Sequence, residues 1–453
     1  MRNNTVKFID LFAGLGGIRL GFEKAFNNLG FQTECVMTSE IKPYAVSALK
    51  KNFKHDFFVG DIFQIRNEFI PDFDFLLGGF PCQPFSSSGK RQGFLDTRGT
   101  LFFEIERILK DKNPYGFILE NVEGLVKHDL ENKNDEIGRT LKTILYTLEE
   151  ELGYNVSWKV FDSIEFGLPQ SRKRIFLVGT KKDKVDLNGH EIKFSSLKSV
   201  FEKGLKTIES DFTDKLFSNF KMKDLYGKSI KDKRGGENNI HSWDIAIKGE
   251  VSKEQAFLLN KMFKERRKKH WAKEIGIDWM DGMPLTINQI MTFFDMPERE
   301  LKKILDDLTY KGYLKFEHPK KLVKEVSGNS IKSYRVYDES KQKGYNIVAG
   351  KLSFEINKIL DPNGIAPTLV ATDVSRLAVP DGKGLRRLTI REGLRLFGYP
   401  EWYEIPTKEN EAFDLLGNTV AIPVVEFVSK KIVQNYLINA NDYLTTKEIP
   451  VCS

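Results

Sequence analysis

Short apolar runs alternate with amphipathic segments over the first 180 residues of the chain. Runs of about four to eight apolar residues are typical of buried strands, and apolar residues spaced three or four apart are typical of helices. The pattern predicts strands at Val6–Phe12, Thr33–Ser39, Phe57–Val59, Phe73–Leu77, Tyr115–Leu119 and Arg174–Thr180. It predicts helices at Ile18–Phe26 and Leu101–Lys110. Such alternation favours an α/β fold, in which helices cover both faces of a mostly parallel sheet.

A compact module is predicted inside the more polar region that follows residue 180. Thr286–Phe294 and a segment opened by Pro297 carry apolar residues at helical spacing, which predicts two short helices. Tyr313–Phe316 then alternates like a strand, and Ser333–Tyr337 is a strand that could pair with it. This order predicts a winged helix-turn-helix over residues 285–337. Because the second helix carries as many acids as bases, the module either is structural or presents its wing, in place of this helix, to a partner.

Composition and charge narrow the class of protein. The 453 residues are 40% apolar, which is ordinary for a folded protein of two or three domains. Lys and Arg outnumber Asp and Glu by 70 to 63, and the net charge of +7 is compatible with a polyanionic partner without requiring one. The N-terminus lacks the signal-peptide pattern, and no apolar run approaches the roughly 20 residues that span a bilayer. We therefore expect a cytoplasmic protein without a membrane partner.

Cys82 is the first candidate for chemistry. It lies in the segment Gly78–Phe94, GGFPCQPFSSSGKRQGF, directly after a predicted strand. Three cysteines are too few for a disulfide framework, and a thiol on a turn at the end of a strand is a candidate nucleophile. The alternative is a buried, inert cysteine. The flanking prolines and glycines indicate a shaped loop, which favours the nucleophile.

The glycine turn Ala13–Gly17 is a candidate ligand site, because glycines let the backbone approach a ligand closely. Glu40 ends the second predicted strand, where a carboxylate suits the hydroxyls of a ribose. Asp61 follows the third and could accept from an adenine amino group. The turn lacks the full dinucleotide pattern, so a tight turn without a ligand and an ordinary turn aspartate remain alternatives. All these positions follow strands, where ligands bind in α/β sheets.

An ordered series of motifs resembles the DNA (cytosine-5)-methyltransferase family of the bacterial restriction-modification type. The matches run in the family's order and cover about residues 6–180 and 386–437. A single match could arise by chance, whereas the ordered set is highly specific. The matching segments are Asp10–Gly17 (DLFAGLGG), Glu40, Asp61, Pro81–Gln83 (PCQ), Glu120–Val122 (ENV), Gln170–Arg174 (QSRKR), Arg387–Pro400 (RLTIREGLRLFGYP) and Gly417–Val420 (GNTV).

The resemblance implies a Rossmann-like methyltransferase domain over residues 1–180, completed by residues 410–453. Residues 181–409 would then form a smaller, mixed target-recognition domain that includes the predicted winged helix. The segment from Leu415 onward is expected to return to the glycine turn and line the cofactor site there. The large domain would thus be built from both ends of the chain.

The resemblance also implies catalytic roles. Cys82 would add to carbon 6 of cytosine, and Glu120 would relieve the negative charge that develops on the ring, because burial at a strand end raises a carboxyl pKa. Arg174 would contact the target base, and Arg172 would serve loop or phosphate contacts at the same site. A helix-capping or salt-bridged glutamate is the alternative for Glu120. Two solvated charges that open a strand are the alternative for the arginines.

S-adenosylmethionine is the cofactor that the resemblance implies. Ile41 departs from many relatives, which have an aromatic residue beside the adenine. The residues assigned to the cofactor are Phe12, Gly14, Leu15, Gly16, Gly17, Glu40, Ile41, Asp61, Ile62, Pro81, Asn418 and Val420.

Contact with DNA is expected from two basic segments, because the target base must be flipped out of the duplex for carbon 6 to be reached. Lys253–Lys273 reads as a helix whose basic end is either a phosphate-contacting or a merely solvated face. No cysteine pair or histidine cluster indicates a metal. The residues assigned to DNA are Ser86, Ser88, Lys90, Arg91, Arg98, Arg266 and Arg267.

The implied function is methyl transfer from S-adenosylmethionine to carbon 5 of cytosine in a specific duplex DNA sequence. We expect a protein that is a monomer on DNA and acts beside a separate cognate restriction endonuclease. An RNA methyltransferase on the same scaffold is one alternative, which the long recognition segment disfavours. A catalytically silent DNA-binding regulator is another, which Cys82, Glu120 and Arg174 disfavour.

Overall fold

A computed structural model describes residues 5–54, 57–80, 100–132, 134–232, 238–327, 330–348, 354–371 and 374–445. The chain divides into two compact units. The first unit comprises residues 1–202, 362–375 and 388–453, and the second comprises residues 203–361 and 376–387. Residues 181–202 and 388–409, which the sequence-based division places in the recognition domain, thus belong to the first compact unit.

A seven-stranded sheet forms the centre of the first unit. Its strands are β1 (Thr5–Leu11), β2 (Gln32–Ser39), β3 (Phe58–Val59), β4 (Phe75–Gly79), β5 (Gly116–Val122), β6 (Asn155–Asp162) and β7 (Lys173–Thr180). Their spatial order is β3-β2-β1-β4-β5-β7-β6, parallel as far as β5, with β7 antiparallel to both β5 and β6. The predicted α/β fold with a mostly parallel sheet is confirmed, although β6 was not predicted.

Helices cover both faces of this sheet, which is why its strands are almost continuously apolar. The helices between the strands are α1 (Gly17–Asn28), α2 (Pro43–Asn52), α3 (Thr100–Lys112) and α4 (Arg139–Tyr146). Along β4, Leu76 belongs to the apolar cluster on one face and Leu77 to the cluster on the other. The first cluster includes Ile105 of α3, and the second includes Phe22 of α1.

The second unit contains short helices and three small sheets. Its helices are α5 (Asp211–Asn219), α6 (Met222–Leu225), α7 (Lys253–Glu265), α8 (Lys269–Ile275), α9 (Ile287–Met291) and α10 (Glu298–Tyr310). Its strands are β8 (Ser229–Ile230), β9 (Asn239–Ile240), β10 (Leu314–Glu317), β11 (Lys320–Ser327), β12 (Ser330–Tyr337), β13 (Gly344–Ile347), β14 (Lys358–Ile359), β15 (Leu377–Asp381) and β16 (Gly384–Arg387). The single helix predicted at Lys253–Lys273 is instead two helices, α7 and α8.

The module predicted at residues 285–337 has the element order of a winged helix-turn-helix. The helices α9 and α10 are followed by β10, which pairs antiparallel with β13, and Leu285 forms a bridge to Tyr345 of β13. The predicted pairing of the strand at 313–316 with the strand at 333–337 is wrong, because β12 pairs with β11 in a separate hairpin. We call these two strands, residues 320–327 and 330–337, the wing.

Three helices return the chain to the first unit: α11 (Ile390–Leu396), α12 (Glu409–Asn418) and α13 (Ile422–Thr445). Gly21 of α1 is needed for the approach of α13, because a Cβ atom there would lie 2.6 Å from Cβ of Val425. Within the described residues, Glu409–Tyr436 is the one stretch long and apolar enough to cross a membrane, and 72% of its apolar window is buried in the structure. That burial is typical of a core helix.

Candidate active site

The candidate site lies at one edge of the large sheet, where neighbouring parallel strands end together. Leu11 at the end of β1 is level with Ser39 of β2 and with Gly78 of β4. Gly79 is in turn level with Glu120 of β5. The register therefore brings the glycine turn, the end of β2 and Glu120 to the same edge.

Glu120 forms a buried ion pair with Arg174. The Nε atom of Arg174 lies 3.0 Å from Oε1 of Glu120, and both side chains are largely shielded from solvent. This Oε1 atom receives no well-directed hydrogen bond from the described residues. The contact is therefore chiefly electrostatic and leaves that oxygen able to bond a further group.

Burial dominates the acid–base behaviour of Glu120. Removal of the carboxylate from water raises its pKa, while the charges of Arg174 and Arg172 lower it without cancelling the effect of burial. The carboxyl group is consequently held closer to neutrality than an exposed glutamate would be. This property suits a group that must present a proton to a ring nitrogen.

The strand beside Glu120, β4, directly precedes the segment that contains Cys82. β4 ends at Gly79, and Nδ2 of Asn121 donates to the backbone oxygen of Phe80 at 3.0 Å. Asn121 thereby fixes the residue that precedes the Pro-Cys segment, a role that its place beside Glu120 in the ENV motif could have indicated. Cys82 and Pro81 lie outside the described residues.

Cys35 is the cysteine that the structure describes, and it does not resemble a nucleophile. Burial raises the pKa of its thiol to about 11. Because the thiolate is the reactive form, this residue stays protonated and inert near neutral pH. No described cysteine therefore competes with Cys82 as the candidate nucleophile.

Arg172 does not have the environment expected for loop or phosphate contacts. It is 3% exposed, and its two Nη atoms donate to the backbone oxygens of Leu369 and Gly417, each at 3.1 Å. Its guanidinium also lies over the ring of Phe397, and burial lowers its pKa to about 9. Arg172 instead connects its own segment of the first unit to the segments that contain Leu369 and Gly417. Local sequence spacing could not indicate such a long-range role.

The glycine turn and Glu40 are tied together by backbone hydrogen bonds. Phe12 and Gly14 both have a positive φ, 57° and 56°, so the chain reverses sharply after β1. Oε2 of Glu40 accepts from the N–H of Gly14 at 2.8 Å, and Oε1 accepts from the N–H of Lys42 at 2.8 Å. A Cβ atom on Gly14 would meet nothing closer than 4.0 Å, so this part of the turn borders open space.

Apolar and acidic groups flank that space. Ile41 and Phe63 are 70% and 50% exposed, although both are apolar. Oδ1 of Asp61 accepts from the N–H of Phe63 at 3.1 Å, which fixes the residue in its turn. Asp61 also lines a surface groove of about 650 Å³ together with Phe58. By contrast, Leu15 and Ile62 are buried, so only their backbone atoms could face a ligand.

The C-terminal motifs pack against the start of α1. The Tyr403 hydroxyl donates to the backbone oxygen of Leu15 at 2.6 Å. The hydroxyls of Tyr399 and Thr419 are hydrogen-bonded at 2.5 Å, and Val420 is buried beside them. The C-terminal segment therefore packs against the glycine turn. Tyr399 and Tyr403 were not singled out from sequence, although they lie in and beside the Arg387–Pro400 motif.

Asn418 lies at the surface of this region. Its Nδ2 atom donates to the backbone oxygen of Asp414 at 2.8 Å. Oδ2 of Asp414 also accepts from Nζ of Lys42 and from the Tyr44 hydroxyl, each at 2.7 Å. Asp414 therefore connects α12 to the segment that follows Glu40, and Asn418 bonds to Asp414 at the end of that helix.

Two of the seven residues predicted to contact DNA lie within the described residues. Ser86, Ser88, Lys90, Arg91 and Arg98 lie outside the described residues. Arg266 is only 5% exposed and donates to Oδ1 of Asn346 at 2.5 Å, so its placement does not support a phosphate contact. Arg267 remains partly exposed, with its Nε atom 2.5 Å from Oδ1 of Asp281. In the parts of the chain that the structure describes, no cluster of three acidic, histidine or cysteine side chains could hold a metal.

Comparison with known proteins agrees with this arrangement. A family model described as C-5 cytosine-specific DNA methylase matches residues 6–434. The type II methyltransferase M.NlaIV of Neisseria lactamica is 58% identical over 94% of this chain and 98% of its own length. M.BanI of Aneurinibacillus aneurinilyticus is 40% identical over 95% and 96%. The solved structure of Entamoeba histolytica EhMeth, at 15% identity, has a TM-score of 0.51 over 95% of this chain and 99% of that one, which indicates a shared fold.

Proposed function

The chain belongs to the C-5 cytosine-specific DNA methylase family, and on this premise we propose that it methylates a cytosine in a specific duplex DNA sequence as a type II modification enzyme. Relatives with 58% and 57% identity over nearly their whole length are type II methyltransferases. The structural observation that carries the assignment is the buried Glu120–Arg174 pair at the end of β5, beside the strand that leads to Cys82.

The reaction needs a nucleophile and a proton donor on the same ring. The sulfur of Cys82 forms a bond to carbon 6 of the flipped cytosine, and Glu120 gives its proton to ring nitrogen 3. Carbon 5 is then electron-rich and would accept the methyl group of a bound methyl sulfonium, whose sulfur would keep the electron pair of the broken bond. Transfer of the carbon 5 proton to water, release of sulfur from carbon 6 and return of the nitrogen 3 proton to Glu120 restore the aromatic ring, the thiolate and the carboxylic acid. Arg174 holds the Glu120 carboxyl in place for this exchange.

The residues around the glycine turn fit S-adenosylmethionine, which supplies a methyl group on a sulfonium when it is bound. Glu40 keeps acceptor capacity beyond its two backbone hydrogen bonds, because a carboxylate offers about four lone-pair sites. The open space at Gly14 and the exposed apolar surfaces of Ile41 and Phe63 suit a ribose and an adenine. Asp61 would accept from the adenine amino group. Phe12, Gly16, Gly17, Pro81, Asn418 and Val420 complete the proposed set.

The two compact units suggest a division of labour. We assign the first unit to catalysis and the second unit to target recognition. The enzyme would act as a cytoplasmic monomer on DNA and would protect host sites from a separate restriction endonuclease. Among the residues outside the described segments, Ser86, Ser88, Lys90, Arg91 and Arg98 are proposed to contact DNA beside the flipped base.

Methyl-transfer assays with duplex DNA, tRNA and no nucleic acid test the function. We expect incorporation into duplex DNA at carbon 5 of cytosine, and Cys82→Ser should abolish it while DNA binding stays largely intact. Incorporation into tRNA alone would replace the proposal by an RNA methyltransferase. Robust methylation by the Cys82→Ser variant would rule out the covalent mechanism.

A further inference from the structure

We propose that the wing, residues 320–327 and 330–337, is the surface through which the second unit contacts the phosphates of duplex DNA. This inference rests on the proposed function only in its choice of DNA as partner. The helix α10, by contrast, does not provide a comparable surface.

The wing concentrates positive charge on a short, exposed hairpin. Its two strands carry five basic residues against a single acid, Glu325. Lys321 and Lys324 are exposed, and Lys320 is partly exposed, with Nζ of Lys321 3.5 Å from Oδ1 of Asp338. Phosphate contacts require accessible cations, and each contact releases counterions from DNA. The basic residues are Lys320, Lys321, Lys324, Lys332 and Arg335.

The register of the hairpin places part of this charge on one side. Lys320 is opposite Tyr337, Leu322 is opposite Arg335 and Lys324 is opposite Ser333. Residues two apart on a strand share a face, and cross-strand partners do as well. Lys320, Lys324 and Arg335 therefore lie on the same face of a two-stranded ribbon. A ribbon of this width enters the major groove of B-DNA, whose phosphates border it on both sides.

The helix α10, which occupies the recognition-helix position, has its charges neutralised within the helix. Nζ of Lys302 lies 2.7 Å from Asp306, and Nζ of Lys311 lies 2.7 Å from Asp307. Its first turn adds the acids Glu298 and Glu300. A helix with this balance would bring carboxylates close to DNA phosphates, so it is a poorer electrostatic partner than the wing.

A buried chain of hydrogen bonds anchors the base of the wing. Arg266 donates to Oδ1 of Asn346, and Nδ2 of Asn346 donates to Oε1 of Glu317 at 2.7 Å. The Tyr337 hydroxyl, at the end of β12, donates to Oε2 of Glu317 at 2.9 Å. The buried arginine at the end of α7 thus acts on the wing through two side chains. This gives Arg266 a positioning role in place of the phosphate contact predicted from sequence.

Trp279 connects the wing to the remaining basic residues of the segment after α7. Nη2 of Arg335 donates to the backbone oxygen of Trp279 at 2.9 Å, and Nε1 of Trp279 donates to the backbone oxygen of Arg267 at 3.0 Å. Nζ of Lys269 lies 6.0 Å from the centre of the indole ring. Arg267 and Lys269 therefore extend the positive surface of the wing, around an aromatic ring that is 43% exposed.

The test compares three triple variants of the full-length protein. The wing variant replaces Lys320, Lys321 and Lys324 by Gln, and the α10 variant replaces Arg299, Lys302 and Lys303 by Gln. A matched control replaces Lys215, Lys221 and Lys223, which are exposed on and near α5 and α6 of the same unit. Binding of a fluorescent mixed-sequence DNA duplex is measured by anisotropy over a series of salt concentrations, with thermal unfolding as a check on folding.

We expect the wing variant to lose at least about tenfold in affinity, and the slope of log affinity against log salt to fall by about 2 to 3, because each lost phosphate contact contributes about 0.9. The control and α10 variants should stay within about twofold of the parent. Equal affinity of the wing and control variants, or a loss confined to the α10 variant, would overturn the proposal.

A methyl-transfer assay run in parallel separates this inference from the proposed function. If the parent protein binds duplex DNA through the wing but transfers no methyl group, the wing proposal is supported and the proposed function fails. If the parent transfers methyl groups and the wing variant does so with unchanged KM for plasmid DNA, the proposed function stands and the wing proposal fails.

Discussion

The Nε atom of Arg174 lies 3.0 Å from Oε1 of Glu120, yet burial still raises the pKa of that carboxyl group. A cation at this distance favours the carboxylate, while the loss of water favours the neutral acid, and the second effect is the larger. At a given pH, a larger fraction of Glu120 is thus protonated, and able to donate a proton, than of an exposed glutamate. Two predictions test this balance.

Replacement of Glu120 by Gln should lower the single-turnover rate of methyl transfer by about 10²- to 10⁴-fold, because general acid catalysis contributes about that much. The amide can still donate a hydrogen bond to the ring but cannot transfer its proton. Glu123→Gln, close by in sequence but at the surface, is the matched control and should retain the parent rate. A decrease of less than about threefold for Glu120→Gln would argue against its role.

Replacement of Arg174 by Gln should raise the pKa of Glu120 further, because the arginine charge lowers it. If the protonated acid is the active form, activity declines as the pH rises through this pKa. The alkaline limb of the profile of kcat/KM against pH should therefore move to higher pH in the variant. A limb that stays in place, or moves to lower pH, would contradict the proposed coupling.

Glu40→Ala should weaken S-adenosylmethionine binding by about 10- to 100-fold, because hydrogen bonds to charged groups contribute about 1.5–3 kcal/mol. Titration calorimetry with the cofactor, and anisotropy with DNA, would measure the two affinities separately. Glu34→Ala on the same strand is the control, since its carboxylate is half exposed and 3.9 Å from Lys7. Equal losses of cofactor and DNA affinity would remove the proposed ribose contact.

Asp10 should make the stability of the first unit dependent on pH. Burial raises its pKa from 3.8 to about 7, opposed by Arg19, and its Oδ2 atom has no hydrogen-bond partner among the described residues. The folded state therefore binds this proton more tightly than the unfolded state. Its stabilising contribution is complete below about pH 4 and is lost as the pH rises through about 7.

The variant Asp10→Asn isolates this effect, because it keeps the shape and removes the titration. Relative to Asp10→Asn, the free energy of unfolding of the parent should fall by at most about 4 kcal/mol between pH 4 and pH 8. Urea unfolding at several pH values measures the difference. A difference that does not change with pH would show that Asp10 has the same pKa in both states.

Gly17→Ala should destabilise the first unit by about 1–3 kcal/mol, even though alanine favours helices more than glycine does. A Cβ atom there would lie 2.8 Å from both the Tyr399 hydroxyl and Cγ2 of Val420. Gly124→Ala is the control, because its nearest neighbour would be 4.0 Å away. If the two variants unfold at the same denaturant concentration, the C-terminal motifs do not pack against the start of α1 as closely as described.

The central strands of the large sheet were predictable because both of their faces are buried and their sequences are nearly uniformly apolar. The strand β6 was not, since it lies at the edge of the sheet and most of its side chains are only partly buried. Its residues therefore lack the continuous apolar run of β4 or β5. The position of Glu120 at the end of a buried strand was predictable from sequence, whereas its ion pair depends on the antiparallel return of β7.

The sequence pattern did not specify which strands pair with each other or which way individual side chains point. Periodicity identified strands near residues 313–316 and 333–337, but it contains no information on which strands form hydrogen bonds to each other. Arg266 and Arg267 are adjacent in sequence, yet one is buried and the other partly exposed. The helix α7 ends at Glu265, directly before them, and the position of that end follows from tertiary packing.

The contact between Gly17 and Tyr399, Thr419 and Val420 has a consequence for biosynthesis. A ribosome must add about 400 further residues after the glycine turn before its packing partners emerge, which takes about 20 to 80 s at bacterial rates. A nascent chain cannot assemble the complete first unit during that time. Modification of host DNA by this protein therefore begins only after almost the whole chain has been translated, however early its catalytic motifs are made.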